Sequence, residues 1–316
     1  MSAGTPEFRA RGRTLHTTGP SLRPVRERVP PVPASPPDPP WAWPFFRWRR
    51  GEGWVLAWVV AIHVLAAAGL VLAPVPGLPV FAAALAITWL GGLGTTVVYH
   101  RALAHRSLRL SRPVEAVLTF FAMLNGSGAP ASWVANHRLH HANSDGPGDI
   151  SSPSLGGFWW AHLRWLWQAE QAPLPRWTPE LGTRYYRAWT RGQLAISALA
   201  LLMGAPFGLA AFVWLGPARL VFCLHAQCFV NSIAHMRENA RPGEDSSQNI
   251  GWLGPVHLFQ GENWHANHHA DPRDARIGRT PMQWDLGWWT IVALERTGLA
   301  TKVRGGGRPR ARGPGA

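Results

Sequence analysis

Nine of the fourteen histidines in this 316-residue chain fall into four short groups: His100-Arg-Ala-Leu-Ala-His105, His137-Arg-Leu-His140-His141, His235, and His265-Ala-Asn-His268-His269. On an α-helix, residues i, i+3 and i+4 share a face, so each HxxHH triplet can aim three imidazoles at one point. A spacing of i to i+5 turns about 140° away, so His100 and His105 need a helix end or a bend between them. Neutral imidazole is the commonest side-chain metal ligand, and nine of them exceed what one ion accepts, so two metals are implied. A structural zinc site would close with four ligands, often cysteines. The two cysteines, Cys223 and Cys228, instead lie inside an apolar run. Ligand softness alone leaves iron, zinc, copper and nickel open.

Carboxylate-bridged di-metal bundles use two Glu-x-x-His motifs. One is present, Glu262-Asn-Trp-His265. Glu262 is therefore read as an acceptor for the distal N–H of a metal-bound histidine, a role open also to Asp145 and Asp149. That aspartate pair flanks Gly146-Pro147-Gly148 and equally suits a turn. His16, His63, His225 and His257 stand alone and read as ordinary interfacial or hydrogen-bonded residues.

The elements that must carry these groups are apolar. Charged residues make up 15% of the chain, against roughly 25% in soluble domains, and none occurs from Gly53 to His100. Stretches of about 20 apolar residues can cross a bilayer. Four are predicted, in two hairpins: Trp54–Ala73 and Leu78–Tyr99 around Pro74-Val75-Pro76-Gly77, then Leu194–Leu215 and Leu220–Met236 around Gly216-Pro217. A fifth apolar stretch, Val114–Ala135, holds Glu115 and is broken by Asn125-Gly126-Ser127-Gly128-Ala129-Pro130, so it reads as interfacial or re-entrant. Residues 1–44 and 304–316, rich in Pro, Gly and Arg, read as disordered tails around a 45–303 membrane domain.

The net charge of +14 comes almost wholly from Arg, concentrated in the tails and beside the apolar stretches. This distribution suits membrane anchoring rather than nucleic-acid binding. Arg47, Arg49 and Arg50 precede the first span, Arg101, Arg106, Arg109 and Arg112 follow the second, Arg184, Arg187 and Arg191 precede the third, and Arg237 and Arg241 follow the fourth. The positive-inside rule then places both termini and all the histidine groups on the cytoplasmic side.

With HxxxxH, HxxHH and a second HxxHH in this order, the chain resembles the membrane fatty acyl desaturases of the Δ9, stearoyl-desaturase-like type. The resemblance covers residues 54–304 and includes Gly91-Gly92-Leu93-Gly94, Gly157-Phe158-Trp159-Trp160-Ala161-His162, Asn231-Ser232-Ile233-Ala234-His235 and Gly298-Leu299-Ala300-Thr301-Lys302-Val303. It implies an all-α integral membrane protein, four transmembrane helices in two hairpins with a cytoplasmic helical cap, placed as a multi-pass protein of a bacterial inner membrane. It further implies two iron ions on His100, His105, His137, His140, His141, His235, His265, His268 and His269, with Asn231 holding a water at one iron. Asn231 stands one helical turn before His235, which agrees.

The implied reaction consumes O2 and leaves a cis double bond in a fatty acyl chain. No His-Pro-Gly-Gly haem motif and no GxGxxG occur in the chain. Electrons are therefore expected from a separate protein, a ferredoxin or a cytochrome b5-type protein with its reductase. The acyl chain is carried by CoA or by membrane lipid. Val134-Ala135-Asn136 and Ala169-Glu170 lack a basic cluster for a CoA phosphate, which favours lipid. Two other readings compete: a hydroxylase of the same superfamily, against which the Asn-Ser-x-x-His element weighs, and a metal-binding membrane transporter, which would place its ligands at mid-membrane depth.

Overall fold

A computed structural model describes residues 38–306 apart from Asn239 and Pro242. Of the tails expected at 1–44 and 304–316, residues 1–37 and 307–316 lie outside the described residues, while 304–306 are held to the domain: Arg304 N–H donates to Ser107 O (2.8 Å) and Gly306 N–H to Asp274 Oδ1 (3.1 Å). Residues 38–44, expected to belong to the first tail, pack on the domain instead. Proline-rich chain leaves its carbonyls without internal partners, and Arg164 Nη2 donates to the carbonyls of Trp41 (3.2 Å) and Trp43 (2.5 Å). Gln168 Nε2 donates to Pro44 O at 2.8 Å, and Trp41 sets its ring edge-on to Trp160.

The fold is helical. Helix α1 (Gly53–Leu72) and α2 (Leu78–Leu93) are joined by the expected proline turn, and α2 continues as a π-helix over Gly94–Ala104. Strand β1 (Arg109–Leu110) leads to α3 (Arg112–Leu124) and α4 (Pro130–Asn143). The break between α3 and α4 falls where the glycines predicted it, with Gly126 and Gly128 at φ 81° and 76°. Short helices α5 (Pro153–Trp159), α6 (Trp165–Gln168) and α7 (Leu174–Trp177) precede α8 (Arg184–Leu202). Then come α9 (Leu209–Leu215), α10 (Pro217–Asn231), α11 (Leu253–Val256), α12 (His265–Ala270) and α13 (Leu286–Arg296). Strand β2 (Ala300–Thr301) pairs antiparallel with β1, Arg109 opposite Thr301.

Three helical stretches among the described residues are long and apolar enough to cross a membrane: Gly53–Leu72, Leu78–Ala104 and Leu209–His235. The predicted span Leu194–Leu215 and its turn at Gly216-Pro217 need correction. The chain reverses eight residues or more earlier, through Gly204, the 3-10 turn Ala205–Phe207 and Gly208 at φ 94°. At Gly204 a side chain would press on the backbone of Ala211 and Phe212, so only glycine lets the reversal close this tightly. Pro217 does not end the helix because its missing N–H falls in a first turn. Gly216 N–H still bonds Phe212 O, and Leu220 N–H bonds Gly216 O, both at 3.0 Å, so α9 and α10 form one kinked rod.

The core beneath the histidines joins Leu93, Val97, Val98 and Tyr99 of the second span to Leu118 and Ala122 of α3 and Ile291 of α13. Close approach there depends on Gly94, where a Cβ would meet the Leu118 carbonyl and sit 2.9 Å from Ala122 Cβ. Gly94→Ala should therefore destabilise the protein by about 1–3 kcal/mol through overpacking. Gly77→Ala, which meets only Pro79 Cδ at 3.8 Å, should be neutral. Thermal midpoints of the two variants in detergent check this, and equal midpoints would contradict it.

Candidate metal centre

The i, i+5 spacing of His100 and His105 is resolved by the π-helix. Its i to i+5 hydrogen bonding sets residues five apart one above the other, and His105 N–H donates to His100 O at 3.1 Å. The two rings come to 5.0 Å between centroids, with the end of the π-helix, at Ala104, between them as the spacing required. His137, His140 and His141 ride on α4, and His265, His268 and His269 on α12. Helix α10 stops at Asn231, and a 3-10 turn over Ile233–His235 presents His235.

All nine rings converge, and they divide. His100, His105, His137, His141 and His268 have ligand atoms within 4.8 Å of one another, as do His140, His235, His265 and His269. Each HxxHH triplet is therefore shared: its i, i+4 pair goes to one group and its middle histidine to the other. The α4 pair His137 and His141 meets His268, while the α12 pair His265 and His269 meets His140.

Nε2 atoms approach at 3.0 Å between His100 and His268, 2.8 Å between His105 and His137, 2.9 Å between His141 and His268, and 3.1 Å between His265 and His269. Two ligands about 2.1 Å from one ion at a right angle are about 3 Å apart, so the donor set fits a metal. His235 Nε2 is buried without a hydrogen-bond partner, as a nitrogen reserved for an ion would be.

In four of the nine rings the second nitrogen is tied down by a carboxylate. His100 Nδ1–H donates to Glu262 (2.9 Å), His140 to Asp149 (2.7 Å), His235 to Asp145 (2.9 Å) and His269 to Asp245 (2.8 Å). Such bonds fix the tautomer and leave Nε2 as the free lone pair. Asp145 and Asp149 also build the turn between them: Asp149 accepts from the N–H of Asp145 and Ser151, each at 3.0 Å. Asp145, at φ 57°, accepts from Ser152 Oγ (2.6 Å) and Ser246 N–H (2.7 Å). The turn role and the histidine role thus coincide. Asp245 had no sequence signal, because nothing local links it to His269, 24 residues away.

Burial raises the Glu262 carboxyl, but His100, Arg101 and the Thr96 hydroxyl outweigh it and hold it at about 2. Burial, aided by neighbouring imidazoles, pushes His105, His137, His141, His265 and His268 well below the usual histidine value, and brings His269 to about 4. At His140 burial acts the same way, yet Asp149 reverses it and the ring sits above the ordinary value. The rings pushed down are neutral at pH 7, the form that binds metal.

The lone histidines are hydrogen-bonded, as expected. His63 Nδ1–H donates to Val59 O, and a chain runs from His63 to His225 (3.0 Å), His162 (2.8 Å) and Ser232 Oγ (2.9 Å). His257 Nε2–H donates to Ala226 O at 2.8 Å. His16 lies outside the described residues. A cavity of about 1200 Å³ is lined at one end by His100, His137, His140, His265, Glu262 and Asn231, and extends along Trp58, Ile62, Leu201 and Leu220. Trp133, also on its wall, stacks on His137 at 4.9 Å.

The sequence profile for fatty acid desaturases matches residues 76–284. Delta-9 acyl-lipid desaturase 2 of Arabidopsis thaliana is 34% identical over 227 residues, which cover 68% of this chain and 71% of that protein. The sn-1 stearoyl-lipid 9-desaturase of Anabaena variabilis is 35% identical over 230 residues, 70% of this chain and 82% of that protein. Icosanoyl-CoA 5-desaturase of Limnanthes douglasii is 33% identical over 229 residues, 68% of this chain and 62% of that one. With that match over two thirds of its length and a histidine-lined cavity in its fold, this chain is an oxidoreductase and belongs to the fatty acid desaturase family.

Proposed function

We propose that the protein is an O2-dependent desaturase that places a cis double bond, at Δ9, in the acyl chain of a membrane lipid, with two iron ions held by the nine histidines. The observation that carries this reading is the division of nine imidazoles into a group of five and a group of four at the end of one long cavity. Five nitrogen donors exceed the tetrahedral set that zinc prefers. Asn231, on the cavity wall and four residues before His235 of the group of four, has an amide suited to hold a water there.

Bound iron would supply the oxidising chemistry of O2, which with two external electrons and two protons removes one hydrogen from each of two adjacent methylenes and forms two waters. The chain's own residues do the rest. The carboxylates Glu262, Asp145, Asp149 and Asp245 hold the imidazoles in register. The cavity walls hold the acyl chain against the histidines and keep bulk water away.

Neutral groups line the cavity beside His137, where Asn136 Nδ2 donates to Gln171 Oε1 at 2.8 Å and Asn136 Oδ1 accepts from Ala172 N–H at 2.9 Å. An amide pair suits the ester of a glycerolipid better than the phosphates of CoA. The electron donor is a separate protein of the ferredoxin or cytochrome b5 type. In the membrane, α8 serves as the fourth crossing, with Arg184, Arg187 and Arg191 at the headgroup level. Both termini and the histidines face the cytoplasm.

Full-length protein from iron-replete cells should carry about two irons per chain, and one or none would defeat the di-iron reading. Asp149→Asn and Asp245→Ala should each weaken iron retention by about 10–100-fold, read by elemental analysis after challenge with a chelator. His140→Ala should abolish the new monoenoic acid in host lipids, while His63→Ala should leave it.

Topology is tested by single cysteines and a membrane-impermeant thiol reagent. Val75→Cys and Phe207→Cys, 78% and 77% exposed at the two turns, should react in intact cells. Glu170→Cys and Arg279→Cys should react only after permeabilisation. Reaction of the latter pair in intact cells would overturn the orientation.

A further inference from the structure

The cavity lacks a wall on one side. Trp54, Ala57 and Ala61 lie on one face of α1, and Leu194, Ala198 and Leu202 on one face of α8, and all six line the cavity. All six are also exposed, with Leu194 at 82%, Trp54 at 59% and Leu202 at 52%. A side chain that lines an inner space and is open to the outside marks the edge of a gap. The packing agrees: α1 rests mainly on α10 and α9, and α8 on α3 and α4, with no substantial seam between α1 and α8. At 1.5 Å per residue the gap runs for about 10 Å along the helices.

We infer that this gap is a lateral entrance, through which one acyl chain of a diacyl glycerolipid slides from the bilayer into the cavity while its headgroup stays at the membrane surface. The inference rests on the desaturase reading above and names the physical form and route of its substrate. The six edge residues are uncharged, and the α1 edge belongs to a membrane-length apolar helix, so acyl tails are the solvent against this side of the gap. The charged residues of the lining other than Glu262, namely Glu52 and Arg191, precede the edge residues of their helices, so the charge lies to one side of the apolar edge. That is the polarity of a glycerolipid, with an apolar tail below a polar ester. A chain entering this way never leaves the apolar phase, whereas entry from water exposes every methylene first.

The test uses the full-length, iron-loaded protein in liposomes that contain a phosphatidylcholine with a photoreactive diazirine midway along one acyl chain. After illumination, adducts are mapped by mass spectrometry at Ile62 and Leu220, buried residues of the inner wall. Adducts should form in the wild type and fall at least about tenfold when Ala57→Trp and Ala198→Trp together fill the gap. Ala57→Ser with Ala198→Ser should retain them, and unchanged iron content shows that both variants fold.

Adducts that persist in the tryptophan variant would overturn the entrance. So would inner adducts that form only with the matching photoreactive acyl-CoA added to the water. If the adducts behave as expected but the loaded protein makes no double bond, the entrance stands and the desaturase reading fails.

Discussion

An imidazole can give one nitrogen to a metal in a fixed direction only when its other nitrogen is settled. Here four carboxylates settle it for His100, His140, His235 and His269. Hydrogen bonds to charged groups contribute about 1.5–3 kcal/mol each, and a buried carboxylate left without them would cost more than that. The loop that follows α4 supplies two of the four. Asp149 turns back to His140 of α4, while Asp145 reaches His235 beyond α10 and also takes both donors of Ser246. Ser246 stands next to Asp245, which holds His269 on α12. One hydrogen-bonded set therefore ties three separate histidine groups together before any metal is considered.

The helices place these groups by close approach. The second span widens into a π-helix where it meets α3, and the glycine at its start lets the two backbones touch. The same wide turn carries Arg101, buried and paired with Asp285 at 2.9 Å. Asp285 in turn accepts from the N–H groups of Ile277, Gly278 and Trp288, so the segment before α13 is organised around a side chain of the second span. A buried pair of this kind adds little net stability, but removing either partner strands the other. It fixes the last third of the chain against the histidines that the second span presents.

Reactivity and substrate form are governed by different parts of the molecule. The histidine groups sit where helices end, among loops rich in polar donors. The cavity leading to them is framed by α1, α8 and α10, and its far reaches are lined by Ile62, Leu201 and Leu220. Family membership speaks to the first part, because the histidine spacing lies within the matched region. Chain length, carrier and route of entry belong to the second, which is built by apolar residues from the buried Ile62 and Leu220 to the exposed Trp54 and Leu194, none of which bonds to a histidine of the two groups.

What the sequence determined by itself was the chemistry that is local along the chain. Nine histidines at i, i+3 and i+4 spacings, the glutamate three residues before His265 and the aspartates around Gly146-Pro147-Gly148 were legible because helix and turn geometry relate neighbours directly. The apolar stretches were legible for the same reason, as was the break at Asn125–Pro130. Only the tertiary structure decided how the triplets divide five and four, since that depends on α4 and α12 meeting across more than 120 residues. Asp245 became visible only when His269 was placed beside it. The π-helix that reconciles His100 with His105, the reversal at 203–208 in place of Gly216-Pro217 and the packing of 38–44 on Arg164 and Gln168 were also settled there. In each case two conformations satisfied the local residues, and contacts made by a distant segment selected one.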